Sequence, residues 1–181
     1  MKYKLPAGLC ALIALALVAF GLLYGTCSGF QEDRAEVEAL LASENGLLDV
    51  LGYRGADALN LRVVARRHLP ASDEDVLKLE AAAAVLQSPD APLPERKIAD
   101  GQLEAAVQAV GAKLRDSASF QQSARDQKYL DMLAADLANL SASAAVSTYN
   151  RAAAAFNEQL STPLVGALAQ LLGVKDCPLF E

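Results

Sequence analysis

An uncharged N-terminal run constrains this chain more than any other feature. No charged side chain occurs from Leu5 to Phe30, and Leu5–Tyr24 is almost wholly apolar. A helix of about 20 such residues spans the hydrocarbon core of a bilayer, which is about 30 Å thick. Ten residues of the run are Leu, Ile, Val or Phe, and each favours insertion by roughly 0.3–0.6 kcal/mol at the helix centre. The run therefore predicts a transmembrane helix, with the lipid bilayer as the partner of residues 5–24.

Two other interpretations of this run stay open. Its densest apolar part, Leu9–Phe20, has the length of a signal peptide, and the small residues at 25–29 could form a cleavage site. In a lipoprotein, Cys27 would carry the lipid. Tyr24 and Thr26 fit that motif poorly, because an aliphatic and a small residue are expected there. The uncleaved anchor is favoured by the length of the run.

The charges that flank the run predict its orientation. Lys2 and Lys4 precede it, whereas residues 32–38 contain four acids and one arginine. Basic residues favour the cytoplasmic side. We therefore expect a single-pass protein of the cytoplasmic membrane with a cytoplasmic N-terminus and an extracytoplasmic body.

Composition excludes several classes of function. The net charge is −6 and the 16 basic residues are spread along the chain, so no nucleic-acid partner is expected. Cys10, Cys27 and Cys177 are too few and too scattered for a disulfide framework or a metal knuckle. With one histidine in the sequence, no metal and no cofactor are expected.

Helical periodicity after residue 30 predicts an all-α fold, an antiparallel up-down bundle with an N-terminal transmembrane helix. We expect two domains, residues 1–30 as anchor and short linker and residues 31–181 as the bundle. Ser72–Asp75 resembles a capping box for a helix whose core stripe is Val76, Leu79, Ala83 and Leu86. The other predicted long helices are Gln31–Leu51, Ala56–Leu69, Glu95–Arg115 and Asp126–Leu160. A bend is predicted near Gly46, Gly52 and Gly55. A final short helix is predicted to be capped by Thr162, to begin at Pro163 and to end at Gly173. Ser88–Pro94 and Asp116–Arg125 are predicted connections.

An aromatic–asparagine pair occurs twice near the C-terminus. Tyr149-Asn150 is repeated seven residues later as Phe156-Asn157. Seven residues make two helical turns, so the two pairs share a face. Asn139 lies close to the same face. Buried amides of this kind either fix the register of a bundle through hydrogen bonds or line a ligand groove, and the structural role is favoured.

This repeat, together with the tail, resembles the LemA family. The tail residues that match are Gly173, Val174, Lys175, Pro178, Phe180 and Glu181. Arg54 and Asn60-Leu61 match an upstream segment weakly. Pro163 stands one position early, and Asn139 and Val146 replace an acid and an arginine of the family pattern.

The resemblance implies a membrane-anchored helical bundle without an assigned molecular role. We therefore expect a non-enzymatic interaction or scaffolding module at the bacterial cell envelope, with a protein partner there. A secreted or lipidated helical binding protein with a cleaved signal is the alternative.

The side chains that could take part in catalysis or binding are each predicted to have a structural role instead. His68 is expected to be a solvated cation at a helix end, and Cys177 a structural thiol. Arg62, Arg66 and Arg67 are expected on a solvated helix face rather than on lipid headgroups. The sequence suggests no Ser/His/Asp set, and no enzyme is expected.

Overall fold

The structure, a computed structural model, describes residues 6–180. Over these residues every regular element is a helix and no strand occurs, which confirms the all-α prediction. The helices are α1 Ala7–Ala42, α2 Leu47–His68, α3 Glu74–Gln87, α4 Leu93–Asp116, α5 Ala118–Gln121, α6 Ala124–Ser141, α7 Ala144–Leu160 and α8 Val165–Leu171.

The long N-terminal helix α1 contains the apolar run. Among the described residues, one helix is long and apolar enough to cross a membrane, with a window near the N-terminus whose mean hydropathy is 2.3 and of which 0% is buried. A signal sequence would have the same length and composition. The helix continues without a break through residue 30, where the predicted anchor and linker end.

The first helical break lies earlier than the sequence predicted. α1 ends at Ala42 and α2 begins at Leu47, so the predicted helix Gln31–Leu51 is wrong at its C-terminal end. Asn45 adopts a positive φ of 61°, and its backbone N–H donates to Asp49 Oδ2 at 3.0 Å. Hydrogen bonds of this kind stabilise a turn at the expense of the helix.

Gly55 lies in the middle of α2, where it allows close packing against α3 and does not interrupt the helix. A Cβ there would lie 2.9 Å from Gln87 Cγ and 3.1 Å from the carbonyl oxygen of Ala83. α2 and α3 therefore approach each other closely at this position. A glycine within a helix is less favourable than an alanine by about 1 kcal/mol. This is the cost of the close approach of the two helices.

The predicted core stripe of α3 is confirmed, since Val76, Leu79, Ala83 and Leu86 are all buried. Its N-cap is Asp73, whose side chain accepts from the backbone N–H groups of Asp75 and Val76. The predicted cap at Ser72 is therefore wrong by one residue. α4 begins at Leu93 with Pro94 in its first turn, inside the predicted loop, where proline's missing N–H costs nothing.

The predicted long helix from Asp126 to Leu160 is two helices. α6 ends at Ser141 and α7 begins at Ala144. Ser141 Oγ donates back to the carbonyl of Leu137 at 2.9 Å, and Ser143 Oγ accepts from the N–H of Ala145 at 3.3 Å. Serine side chains thus compete with the helical backbone on both sides of the break.

The described chain divides into two compact units. One consists of the residues up to Glu38 together with Ala152–Cys177, and the other of Ala39–Arg151 together with the residues from Pro178 on. In the second unit α2 packs against α3, α4 and α6, α3 packs against α4, and α5 contacts α4 and α6. The predicted division at residue 30 stays a prediction.

Candidate functional site

In the first unit, Asn157 binds the C-terminal tail. Its Nδ2 donates to the carbonyl of Cys177 at 2.8 Å, and its Oδ1 accepts from the N–H of Cys177 at 2.8 Å. One amide therefore satisfies both backbone groups of one tail residue. The preceding Phe156 packs edge-on against Phe30 of α1, with ring centroids 6.2 Å apart.

In the second unit, the other aromatic–asparagine pair also binds tail backbone. Asn150 Oδ1 accepts from the N–H of Phe180 at 2.8 Å, and Tyr149 Oη donates to the carbonyl of Pro178 at 2.7 Å. Tyr149 is 2% exposed and Asn150 is 7% exposed. The amides of the buried Asn150 and the half-buried Asn157 thus bind an irregular segment, rather than another helix as the sequence suggested.

Gly173 ends α8 as predicted. Its φ is 94°, its N–H donates to Gln170, and the N–H of Val174 donates to the carbonyl of Ala169, each at 3.0 Å. These two bonds form a Schellman motif, for which glycine is the preferred residue. Lys175 contributes its carbonyl, which accepts from Arg34 Nη1 at 3.0 Å. Glu181 lies outside the described residues.

The start of α8 differs from the prediction. The helix begins at Val165 after Leu164, so Pro163 does not occupy its first position. Thr162 Oγ1 donates to the carbonyl of Gln159 at 2.7 Å. The threonine hydroxyl therefore binds the end of α7 and does not cap α8.

Cys177 is buried, 3% exposed, as expected of a structural thiol. Burial raises the pKa of its thiol, although Arg34 acts in the opposite direction. The thiolate is the nucleophilic form of cysteine. A raised pKa therefore makes this residue a poor nucleophile.

The expectation of a solvated His68 is wrong. Its side chain is 8% exposed, with Nε2 2.8 Å from Asp126 Oδ2, and Nδ1 lies 3.0 Å from Ser119 Oγ. The ring packs edge-on against Phe120, with centroids 5.4 Å apart. Arg67 Nη1 donates to Asp126 Oδ1 at 2.7 Å. The buried carboxylate of Asp126 therefore joins the end of α2 to α6, and the ring of His68 joins it to α5.

These contacts do assemble a Ser/His/Asp set, which the sequence did not suggest. If Nε2 carries the proton toward Asp126, then Nδ1 can accept from Ser119, which is the proton arrangement that activates a serine. A hydrolase also needs a substrate cleft and oxyanion donors. The neighbouring cavity, of about 270 Å³, is lined by Arg115, Phe120, Gln121, Gln127, Leu130 and Asp131. Because none of the three polar residues lines it, we interpret the set as a structural ion-pair cluster.

The arginines Arg62, Arg66 and Arg67 of α2 form ion pairs with other helices while remaining partly exposed to solvent. Arg62 Nη1 and Arg66 Nη2 contact the two carboxylate oxygens of Glu80 at 2.6 and 2.7 Å. The hydrogen bond from Arg62 lowers the pKa of Glu80 most. Arg66 and Arg67 are thus exposed as predicted, and the pairing of Arg62 and Arg66 with Glu80 of α3 is an addition that the sequence did not predict.

A cavity of about 260 Å³ lies beside the buried Arg54. Arg54 Nε lies 2.7 Å from Asp100 Oδ1, and Nη1 donates to Ser141 Oγ. Burial raises the pKa of Asp100, while Arg54 lowers it. Asn139, Asn150 and Asn157 do not line this cavity.

A shallow depression between α2 and α6 offers a further concave surface, of about 340 Å³. It is lined by Tyr53, Ala56, Asp57, Asp136, Asn139 and Leu140. Tyr53 is 54% exposed. Burial and then the neighbouring Asp136 raise the pKa of Asp57. An exposed aromatic ring beside two like charges is a surface suited to a basic partner.

No protein-family model, curated protein or solved structure matches this chain. The resemblance to the LemA family therefore stays a prediction. Among the described residues, no cluster of three or more His, Cys, Asp or Glu could hold a metal ion.

Substituting Asn150→Leu should destabilise the protein, because it leaves the buried N–H of Phe180 without its acceptor. We expect the free energy of unfolding to fall by about 1–3 kcal/mol. The measurement is denaturant unfolding of the full chain in detergent micelles. Asn139→Leu is the matched control, since Asn139 is exposed and the change there should stay within about 0.5 kcal/mol. Equal effects of both substitutions would contradict a role for the tail contact.

Asp126→Asn should flatten the acid dependence of stability. The hydrogen bond from His68 is the main cause of the lowered pKa of Asp126, with Arg67 contributing. A carboxyl whose pKa is lower in the folded chain contributes stability above its unfolded pKa, and this is lost as pH falls through the folded pKa. The free energy of unfolding should therefore fall more steeply below about pH 5 in the parent than in the variant.

The control for this comparison is Asp131→Asn, an exposed carboxylate on the same helix. Its acid dependence should parallel that of the parent. Parallel curves for the parent and Asp126→Asn would contradict the assigned ion pair.

Proposed function

We propose that this chain is a single-pass membrane protein of LemA type, whose antiparallel up-down helical bundle is a non-enzymatic interaction or scaffolding module at the bacterial cell envelope. The observation that carries this proposal is the uncovered apolar surface of α1. Leu12, Leu15, Phe20 and Leu22 are each about two-thirds exposed or more. Burying each such side chain in an apolar environment gains about 1.5–3 kcal/mol, which a bilayer supplies.

The short connections in the second unit support the bundle topology. Residues 69–73 join α2 to α3, and residues 88–92 join α3 to α4. Consecutive helices that are joined by short connections and pack together are typically antiparallel neighbours. Arg96 supports the second connection, since Nε donates to Ala91 at 2.9 Å and Nη1 to Leu86 at 2.7 Å.

Lys2 and Lys4 support an orientation with the N-terminus in the cytoplasm. The helical body would then lie outside the cytoplasmic membrane. A cleaved signal, or a lipid on Cys27, remains the alternative, and both forms would present the same body. The intact mass of the mature chain separates them, because cleavage would remove the first 26–29 residues.

The depression between α2 and α6 is the surface we assign to the protein partner. Its two carboxylates, Asp57 and Asp136, favour a lysine or arginine on that partner. Tyr53 supplies the exposed aromatic side chain that such interfaces use as an energetic anchor. The partner is therefore defined by chemistry, as a protein segment with a basic residue beside an apolar one.

Replacing Leu12 and Leu15 together by arginine should release the protein from membranes. Arginine at a helix centre disfavours insertion by about 2.5–3.5 kcal/mol, so two would offset the gain from the remaining apolar residues. The measurement is the fraction retained in membranes after alkaline carbonate extraction. Ile98→Arg, at a position of α4 that is 62% exposed, is the control and should be retained. Carbonate release of the parent itself would defeat the anchor.

Tyr53→Ala should weaken binding of the envelope partner. We would place a photo-crosslinking amino acid at the exposed Asn139, which lines the same depression, and measure crosslinking in native membranes. Loss of an interface anchor costs about 2 kcal/mol or more, or roughly a 30-fold loss in affinity. Tyr129→Ala, at a position of α6 that is 42% exposed, should leave the crosslink unchanged. Equal yields from the parent and Tyr53→Ala would exclude this surface.

A further inference from the structure

α8 packs with its small residues inward and its large apolar residues outward. Gly166 and Ala169 are buried, and a Cβ on Gly166 would lie 2.0 Å from the carbonyl oxygen of Leu160. The exposed side chains are Leu164 at 80%, Val165 at 49%, Leu168 at 39%, Leu171 at 83% and Leu172 at 47%. A helix on a water-facing surface shows the reverse arrangement. This outward face therefore suits an apolar surrounding.

The turn before α8 adds a strained leucine to that face. The N–H of Val165 donates to the carbonyl of Pro163 at 3.0 Å, and Leu164 has φ 71° and ψ −63°. These values define the γ-turn of positive φ, which is rare and strained. A residue held in such a conformation costs about 1–3 kcal/mol. A leucine that gains contacts outside the protein would offset this cost.

α8 is tethered near the end of the apolar run of α1. Both belong to the same compact unit. Residues 8–24 of α1 are exposed, whereas Phe30 is buried against Phe156. Six helical residues advance about 9 Å, so the Phe30 contact lies close to the end of the span. The headgroup layer beyond the hydrocarbon core is several ångströms deep, so a bilayer around the apolar run would have its surface near the Phe30 contact.

The chain contacts α1 again after α8. The carbonyl of Lys175 accepts from Arg34 of α1 at 3.0 Å. Leu171 precedes Lys175 by four residues, so it lies within about 14 Å of that contact. In the sequence, α8 therefore lies between two residues, Phe156 and Lys175, that contact the segment of α1 after the apolar run.

The charge pattern favours lipid over a protein surface. No charged residue occurs between Glu158 and Lys175, and Gln170 Nε2 is bonded internally to the carbonyl of Leu160 at 3.3 Å. Five side chains also offer less area than the roughly 800 Å² per partner of a stable interface. A second copy of this chain would need further contacts to stay bound there.

We propose that α8, with Leu164 and Leu172, inserts its apolar face into the surface of the bilayer beside the α1 span. The insertion is shallow, because an interfacial apolar face is buried about 5–10 Å into the headgroup boundary. This inference rests on the membrane span proposed above. It adds a second, lipid-binding contact that would orient the helical body on the membrane.

The test uses the full chain in phosphatidylcholine–phosphatidylglycerol vesicles that contain nitroxide-labelled lipid. A polarity-sensitive fluorophore is attached at Leu171→Cys, in a background with Cys10→Ser and Cys27→Ser. Cys177 is buried and is retained, and the background protein should take up no label. Leu15→Cys marks the span, and Ile98→Cys, on the other compact unit, marks a water-exposed site.

We expect blue-shifted emission and loss of most fluorescence to lipid nitroxides at positions 171 and 15, and neither at position 98. Water-like, unquenched emission at 171 with quenching at 15 would overturn this inference and leave the span intact. Blue-shifted emission at 171 without quenching would also overturn it, since protein rather than lipid would then cover α8. An absence of quenching at both 15 and 171 would overturn the proposed span together with this inference.

Discussion

The rest of the structure depends on the apolar N-terminal part of α1, which no part of the described protein covers. Leu15 of α1 is 72% exposed and Phe20 is 68% exposed, in a window without buried residues. Hydrophobic residues at a protein surface are ordinary when they are scattered, but a continuous apolar patch marks a site of interaction. The change from exposed to buried positions between Tyr24 and Phe30 thus separates the uncovered apolar part of α1 from the part that packs against protein.

The asparagines of α7 supply hydrogen-bond partners for backbone groups in a segment without secondary structure. Residues 174–180 form no helix or strand, so their buried N–H and C=O groups need partners from elsewhere. An amide side chain offers both a donor and an acceptor, and Asn157 uses both on Cys177. A leucine or an aspartate at the same position would satisfy at most one of the two. This explains why the repeat pairs an aromatic packing residue with an amide.

Local periodicity predicted the helices and their buried faces well, while their ends depended on features that periodicity does not carry. The stripe of α3 and the Gly173 stop were predicted because each follows from spacing or from a single residue's φ preference. Gly55 was misinterpreted as a bend, because only the close approach of Ala83 reveals its packing role. The serines at 141 and 143 are ordinary helix-surface residues in sequence, and their hydrogen bonds to backbone become visible only in the fold.

Partners that are distant in sequence account for the remaining errors. Asp126 lies 58 residues from His68, and Lys113 lies 40 residues from its partner Asp73. Neither pair leaves a local signal in the sequence, and the prediction of a solvated His68 was wrong for this reason. Both carboxylates nevertheless lie at a helix N-terminus, since Asp73 is the N-cap of α3 and Asp126 lies in the first turn of α6. A carboxylate at a helix N-terminus is already favoured by the helix dipole. In each pair, a basic side chain near the C-terminus of one helix binds a carboxylate at the N-terminus of another. The ion pair therefore determines which two helix ends lie together.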